Sequence, residues 1–142
     1  MTGVTKVVAI VDDRTESKCR NVIEVLRQNA IEFEVFKSIT SVLREVYNYP
    51  EKYCGMVLDM QLPQYDNEPL STKRNGGEII LKRLSNRGGN IPILLNTTSY
   101  VPEEKFSLEY YRNVHGIIRG GYETKEELNK IYSFVELVRE QM

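Results

Sequence analysis

Five short apolar runs punctuate the chain, and a stretch with helical spacing or a polar turn follows each one. Residues 6–11 open with Lys6 and continue through Val7, Val8, Ala9, Ile10 and Val11, a run with no polar alternation. Continuous runs of this kind suit strands buried on both faces of a parallel sheet. Thr15 offers a helix cap, and residues 18–28 carry Val22, Ile23, Val25 and Leu26 on one side. Residues 32–36 alternate polar and apolar, which predicts a half-exposed edge strand. Thr40 or Ser41 caps a second helix with Val42, Leu43 and Val46, and Tyr49-Pro50 stops it. Residues 55–59 form a third strand, ending in Asp59.

Residues 64–77 break this rhythm. They are polar, hold Pro69 and the Gly76-Gly77 pair, and show no period. A loop of this length beside a strand end is often functional, and Asp66 and Glu68 lie within it. A helix over residues 78–84 follows, then a strand over 91–95 with Pro92 near its start. Pro102 suits the first turn of another helix, with Phe106, Leu108, Tyr110 and Tyr111 as its apolar surface. Residues 114–118 give a fifth strand. Thr124 caps a last helix through residue 138, with Leu128, Ile131, Phe134, Val135 and Val138 on one face.

Strand–helix alternation repeated five times implies right-handed crossovers and a parallel sheet covered on both sides. Five units match the flavodoxin-like doubly wound (βα)5 sandwich, with strand order 2-1-3-4-5. The 142 residues suit one domain with a core over about residues 5–140 and no output domain. A net charge of −1 gives no basic field for nucleic acid, and no apolar run approaches the roughly 18 residues that span a bilayer. The first residues lack the layout of a signal peptide, so the expected location is the cytoplasm. Cys19 and Cys54 form no paired motif and, with a single histidine in the chain, imply reduced core thiols rather than a zinc site.

The candidate chemistry sits where the strands end. Strand 1 closes in Asp12-Asp13, strand 3 in Asp59, strand 4 in Thr97 and strand 5 in Arg119. In the order 2-1-3-4-5 these ends line the sheet edge where α/β proteins bind ligands. Three clustered carboxylates repel unless a cation joins them, and hard oxygen ligands at an open site favour Mg²⁺. A carboxylate beside Mg²⁺ can act as a nucleophile toward phosphorus, while a hydroxyl and a cation hold the phosphoryl oxygens.

This set closely resembles the receiver domain of two-component response regulators. The resemblance rests on Val8-Ala9-Ile10-Val11-Asp12-Asp13, on Val57-Leu58-Asp59-Met60-Gln61-Leu62-Pro63, on Pro92-Ile93-Leu94-Leu95-Asn96-Thr97 and on Ile117-Ile118-Arg119. It implies that Asp59 is the phosphoacceptor. It implies Mg²⁺ held by Asp13 and Asp59, by Asp12 through water, and by the backbone carbonyl of Gln61. Thr97 would bond the phosphoryl group. A histidine kinase or phosphotransfer protein would supply it, and an effector protein would read it. The activity expected is self-phosphorylation and autodephosphorylation at most, with no nucleic-acid or membrane partner.

Strand 5 departs from the family pattern. Receivers normally end it in Lys-Pro, with the Lys pairing to the phosphoryl group; here the residues are Arg119-Gly120. Aligning on Arg119 keeps its usual separation from Thr97 and puts Gly116 at the aromatic switch position. Aligning on Gly116 puts Gly120 at the Lys position and leaves no cation. The departure motivates a second reading, a receiver-like interaction module that does not turn over phosphate. A dehalogenase-type phosphatase would want a second Asp at position 61, where Gln61 stands. His115 reads as a strand residue rather than a catalytic base.

Overall fold

The computed structural model describes residues 6–68, 75–86, 91–97, 113–121 and 123–142. Five parallel strands form one sheet: β1 (Val7–Val11), β2 (Phe33–Phe36), β3 (Tyr53–Leu58), β4 (Ile93–Asn96) and β5 (Val114–Ile118). Their order is β2-β1-β3-β4-β5, as the alternation of strands and helices predicts. The described helices are α1 (Thr15–Lys18), α2 (Arg20–Gln28), α3 (Ile39–Asn48), α4 (Gly76–Asn86) and α5 (Lys125–Gln141), with a 3₁₀ turn at Pro50–Lys52. None of the described helices is long and apolar enough to cross a membrane.

The sheet separates two cores. Ala9, Val11, Met56, Leu58, Ile93 and Leu95 point to the face covered by α3 and α4, where Val42, Leu43, Ile80 and Leu84 meet them. Val8, Ile10, Val57 and Leu94 point to the other face, against Val22 and Leu26 of α2 and Ile131, Phe134 and Val138 of α5. Side chains alternate between faces along a strand, so this parity carries forward to the strand ends. Asp12 follows Ile10 by two, Asp59 follows Val57 by two, and Asn96 follows Leu94 by two. All three belong to the face of α1, α2 and α5.

Several boundaries differ from the sequence reading, each for a local reason. The first helix is broken: Cys19, at φ −109° and ψ 11°, separates α1 from α2. Thr15 is not the cap, and its hydroxyl instead donates to the Asp12 carbonyl at 3.0 Å. The cap of α3 is Ser38, whose side chain accepts from the Ser41 N–H. β3 starts two residues early, at Tyr53, where the ring is buried and its hydroxyl bonds Glu34. β4 starts two residues late, beyond Pro92, and reaches Asn96. The last helix has the expected cap: the Thr124 side chain and Glu127 form a reciprocal capping box.

The 64–77 loop is shorter than expected, because α4 begins at Gly76 rather than at residue 78. Gly77 lies against the end of β3: a Cβ there would sit 2.6 Å from the Asp59 carbonyl oxygen and 2.8 Å from Met60 Cα. Glycine therefore lets the start of α4 close down directly onto the Asp59–Met60 backbone. Residues 69–74 and the helix expected after Pro102 lie outside the described residues.

Candidate functional site

The three sequence-predicted carboxylates converge. Asp12, Asp13 and Asp59 each offer an oxygen within 4.8 Å of the others. Asp12 and Asp59 are each 1% exposed, while Asp13 is half-buried. The backbone fixes them at adjacent strand ends: the Asp12 N–H donates to the Phe36 carbonyl, and the Asp59 N–H to the Val11 carbonyl, both at 2.9 Å. The turns that follow fold back on the same side chains. Arg14 N–H donates to Asp12 Oδ1 at 2.8 Å, and Gln61 N–H donates to Asp59 Oδ1 at 3.3 Å. The Gln61 side chain reaches across to Asn75 Oδ1 at 2.9 Å and ties this turn to the residue before α4.

A fourth charged group sits inside the pocket, and it comes from a helix. Lys18 Nζ is 2.8 Å from Asp59 Oδ2 and 3.4 Å from Asp12 Oδ2, and the residue is 5% exposed. The ammonium thus bridges two of the three carboxylates. Among the described residues Asp59 Oδ2 accepts no well-directed hydrogen bond, so its contact with Lys18 is an ion pair formed by proximity. Burial pushes the Asp59 carboxyl above its ordinary range, and the neighbouring Asp12 charge adds to this. Lys18 and the Gln61 N–H work in the opposite direction but do not cancel it.

The break at Cys19 and two polar side chains seat Lys18. Asn96 Nδ2 donates to the Lys18 carbonyl at 3.2 Å and to Cys19 Sγ at 3.4 Å. The Cys19 thiol leans on Asp12 Oδ2 at 3.7 Å. Burial first, then the Asp12 charge, push this thiol well above its ordinary value, so it stays protonated and unreactive. Asn96 Oδ1 is buried without a hydrogen-bond partner among the described residues. Gly120 packs beside it: a Cβ there would stand 2.5 Å from Asn96 Oδ1 and 3.1 Å from the Lys18 carbonyl oxygen.

Thr97 and Arg119 have different fates. Thr97 is buried at the end of β4, its N–H donating to the Ile118 carbonyl at 3.0 Å. Arg119 is exposed. Its backbone N–H donates to Glu127, and its side chain makes no hydrogen bond or ion pair among the described residues. The strand-end pattern predicts Arg119 beside the acids; in this structure its side chain is exposed and pairs with none of them. Arg119 has the strand parity of Asp13 and Thr97, two residues beyond Ile117 as they are beyond Val11 and Leu95, so exposure rather than alternation sets it apart from the acids.

The sequence reading missed Lys18, although a signal was present. Lys18, Val22 and Val25 recur at i, i+4 and i+7, which places the lysine on the buried stripe of the first helix. A lysine on such a stripe, one turn beyond a strand-ending Asp pair, is placed to meet those acids.

No protein-family model matches the sequence, and no curated protein is similar to it. Solved structures do match. A CheY-like response regulator receiver domain protein from Methanospirillum hungatei JF-1 is 20% identical, with a TM-score of 0.64 over 96% of this chain and 98% of that one. The signal receiver domain of a putative Luxo repressor protein from Vibrio parahaemolyticus is 12% identical, with a TM-score of 0.68 over 96% and 92% of the two chains. A response regulator receiver protein from Pseudoalteromonas atlantica is 15% identical, with a TM-score of 0.67 over 92% and 97%. The chain has the fold of the response-regulator receiver domains.

Proposed function

We propose that this chain is a receiver that accepts a phosphoryl group on Asp59 in a Mg²⁺-dependent reaction and signals through protein–protein contacts. The observation that carries this reading is the cluster of buried Asp12 and Asp59 with half-buried Asp13 at the carboxyl edge of a receiver fold. A buried acid cluster is costly to maintain, and its placement at the ligand-binding edge favours a chemical role over a structural one.

The donor set fits a hard divalent ion. Asp12, Asp13 and Asp59, with the Gln61 backbone carbonyl, would hold Mg²⁺, which when bound supplies positive charge to the acids and to incoming phosphoryl oxygens. The chain's own groups do the rest. The Gln61 N–H holds Asp59 Oδ1, so this carboxylate is oriented before a donor arrives. Lys18 keeps the Asp59 side of the pocket attractive to an anion. From its buried position the Thr97 hydroxyl would donate a hydrogen bond to a phosphoryl oxygen. A histidine kinase or phosphotransfer protein would be the donor, and an effector protein the reader.

One observation favours the second reading, a phosphate-independent interaction module. Lys18 already compensates Asp12 and Asp59, so the pocket has a cation without any metal. Intact mass after incubation with acetyl phosphate and Mg²⁺ separates the two readings. A gain of one phosphoryl group, absent in Asp59→Ala and without metal, is the result expected. A folded parent protein that never gains mass supports the module.

A further inference from the structure

We propose that Lys18 of α1, rather than any residue of β5, is the cation that engages the phosphoryl group on Asp59. This deepens the phosphoacceptor reading and rests on it. Three independent placements lead to it.

The first is reach. Lys18 Nζ already lies 2.8 Å from Asp59 Oδ2, and a phosphoryl group bonded to Asp59 carries its oxygens only two bonds beyond the carboxylate oxygen that holds it. An ammonium has three donors, and Asp12 and Asp59 engage two sides of it. Lys18 therefore meets the new oxygens by a small rotation of its end group, without moving α1. The side chain is already ordered, so little of its entropy is left to lose.

The second is the loss of a competing cation. Arg119, the basic residue that closes β5, is exposed, and its side chain makes no ion pair with the acids among the described residues. The third is the way β4 and β5 serve the lysine. Asn96 holds the Lys18 carbonyl, and Gly120 supplies the flat surface that this arrangement needs. A side chain at position 120 would strike Asn96 and crowd the Lys18 backbone. The strand that ends in a lysine in other receivers here makes room for one that arrives from the helix.

The step itself balances without further reactants. With zwitterionic phosphoramidate as donor, an Asp59 carboxylate oxygen forms a bond to phosphorus and the P–N bond breaks. The nitrogen leaves with that electron pair as ammonia. Charge moves from the carboxylate to the phosphoryl oxygens, where Lys18 neutralises it.

The test follows phosphorylation by phosphoramidate with intact mass, and Mg²⁺ affinity by calorimetry, in the parent, Lys18→Met, Lys18→Arg and Arg119→Gln. In Lys18→Met the phosphoryl group should be acquired about 100-fold more slowly. Its Mg²⁺ affinity should instead rise roughly tenfold, because a competing cation has left the acids. Lys18→Arg should keep the parent's Mg²⁺ affinity and recover part of the rate. Arg119→Gln should leave both within about twofold.

The opposite signs separate a phosphoryl contact from a merely structural lysine, whose loss would weaken both. Parent-like phosphorylation of Lys18→Met, or slowing confined to Arg119→Gln, overturns the proposal while Asp59 stands as acceptor. Should Lys18→Met fail to fold, Lys18→Arg decides: a parent-like rate together with a slow Arg119→Gln overturns the proposal. A parent that gains no phosphoryl group overturns the acceptor reading and the proposal with it.

Discussion

The two sides of the pocket are built on different logic. On the β1–α1–β3 side, charge is buried, paired and held by backbone: Asp12, Asp59 and Lys18 are all under 6% exposed. On the β5 side, Arg119 is exposed, and Gly120 packs against Asn96 and the Lys18 backbone. The contrast teaches that a charge requirement can be met from either wall of a cleft. What must stay fixed is the position of the charge in space, and the chain can supply it from a helix once the strand gives up volume.

The sharpest way to break this asymmetry is to remove the buried cation. Without Mg²⁺, Lys18→Met leaves Asp12 and Asp59 uncompensated, and should cost about 3–5 kcal/mol. A loss of that size lowers Tm by roughly 10–17 °C for a chain of this length, measurable by circular dichroism, and added Mg²⁺ should restore part of it. A melt unchanged from the parent would mean that the ion pair contributes nothing to the fold.

The glycine comes next. Gly120→Ala should cost about 1–3 kcal/mol, because its Cβ meets Asn96 Oδ1 and the backbone of Lys18. Urea denaturation of the variant reads this directly. The same substitution should also loosen the seat of Lys18.

Asp59 gives a smaller effect with a defined pH sign. Its folded-state carboxyl is raised above the ordinary value by burial and by Asp12. Stability from such a group is fully present below its unfolded value and is lost as pH rises through the folded value. Metal-free Asp59→Asn, which never ionises, should therefore melt about 2–4 °C above the parent at pH 7. The gap should narrow as pH falls toward 4. Parallel melts at the two pH values check this.

The smallest effect belongs to Arg119. Arg119→Gln should change stability by less than about 0.5 kcal/mol, since the side chain is exposed and makes no ion pair among the described residues. A large loss would show that the strand-5 side carries more than its geometry implies.

The same contrast explains what the sequence could reveal. Continuous apolar runs made β1, β3 and β4 legible, because only strands buried on both faces read that way. The acid trio was legible because each Asp closes such a run. Arg119 misled because it also closes a strand, and residue type alone does not show whether a side chain beyond the last ladder pair is buried or exposed. Lys18 was hidden by the habit of reading lysines on helices as solvated. The helix break at Cys19 left no sequence signature, and the Asn96 side chain that bonds the Lys18 carbonyl and the Cys19 thiol there lies far along the chain. The Gly76-Gly77 pair read as loop because glycine disfavours helix, whereas close approach to Asp59 and Met60 overrides that preference.

The most direct test of the account is a crystal structure of the protein with Mg²⁺ and fluoroberyllate, a stable mimic of the phosphoryl group. The account predicts beryllium bonded to an Asp59 oxygen, Lys18 Nζ about 3 Å from a fluoride, and Arg119 in solvent. Fluoroberyllate on Asp59 with Arg119 folded over it and Lys18 left on Asp12 would contradict it.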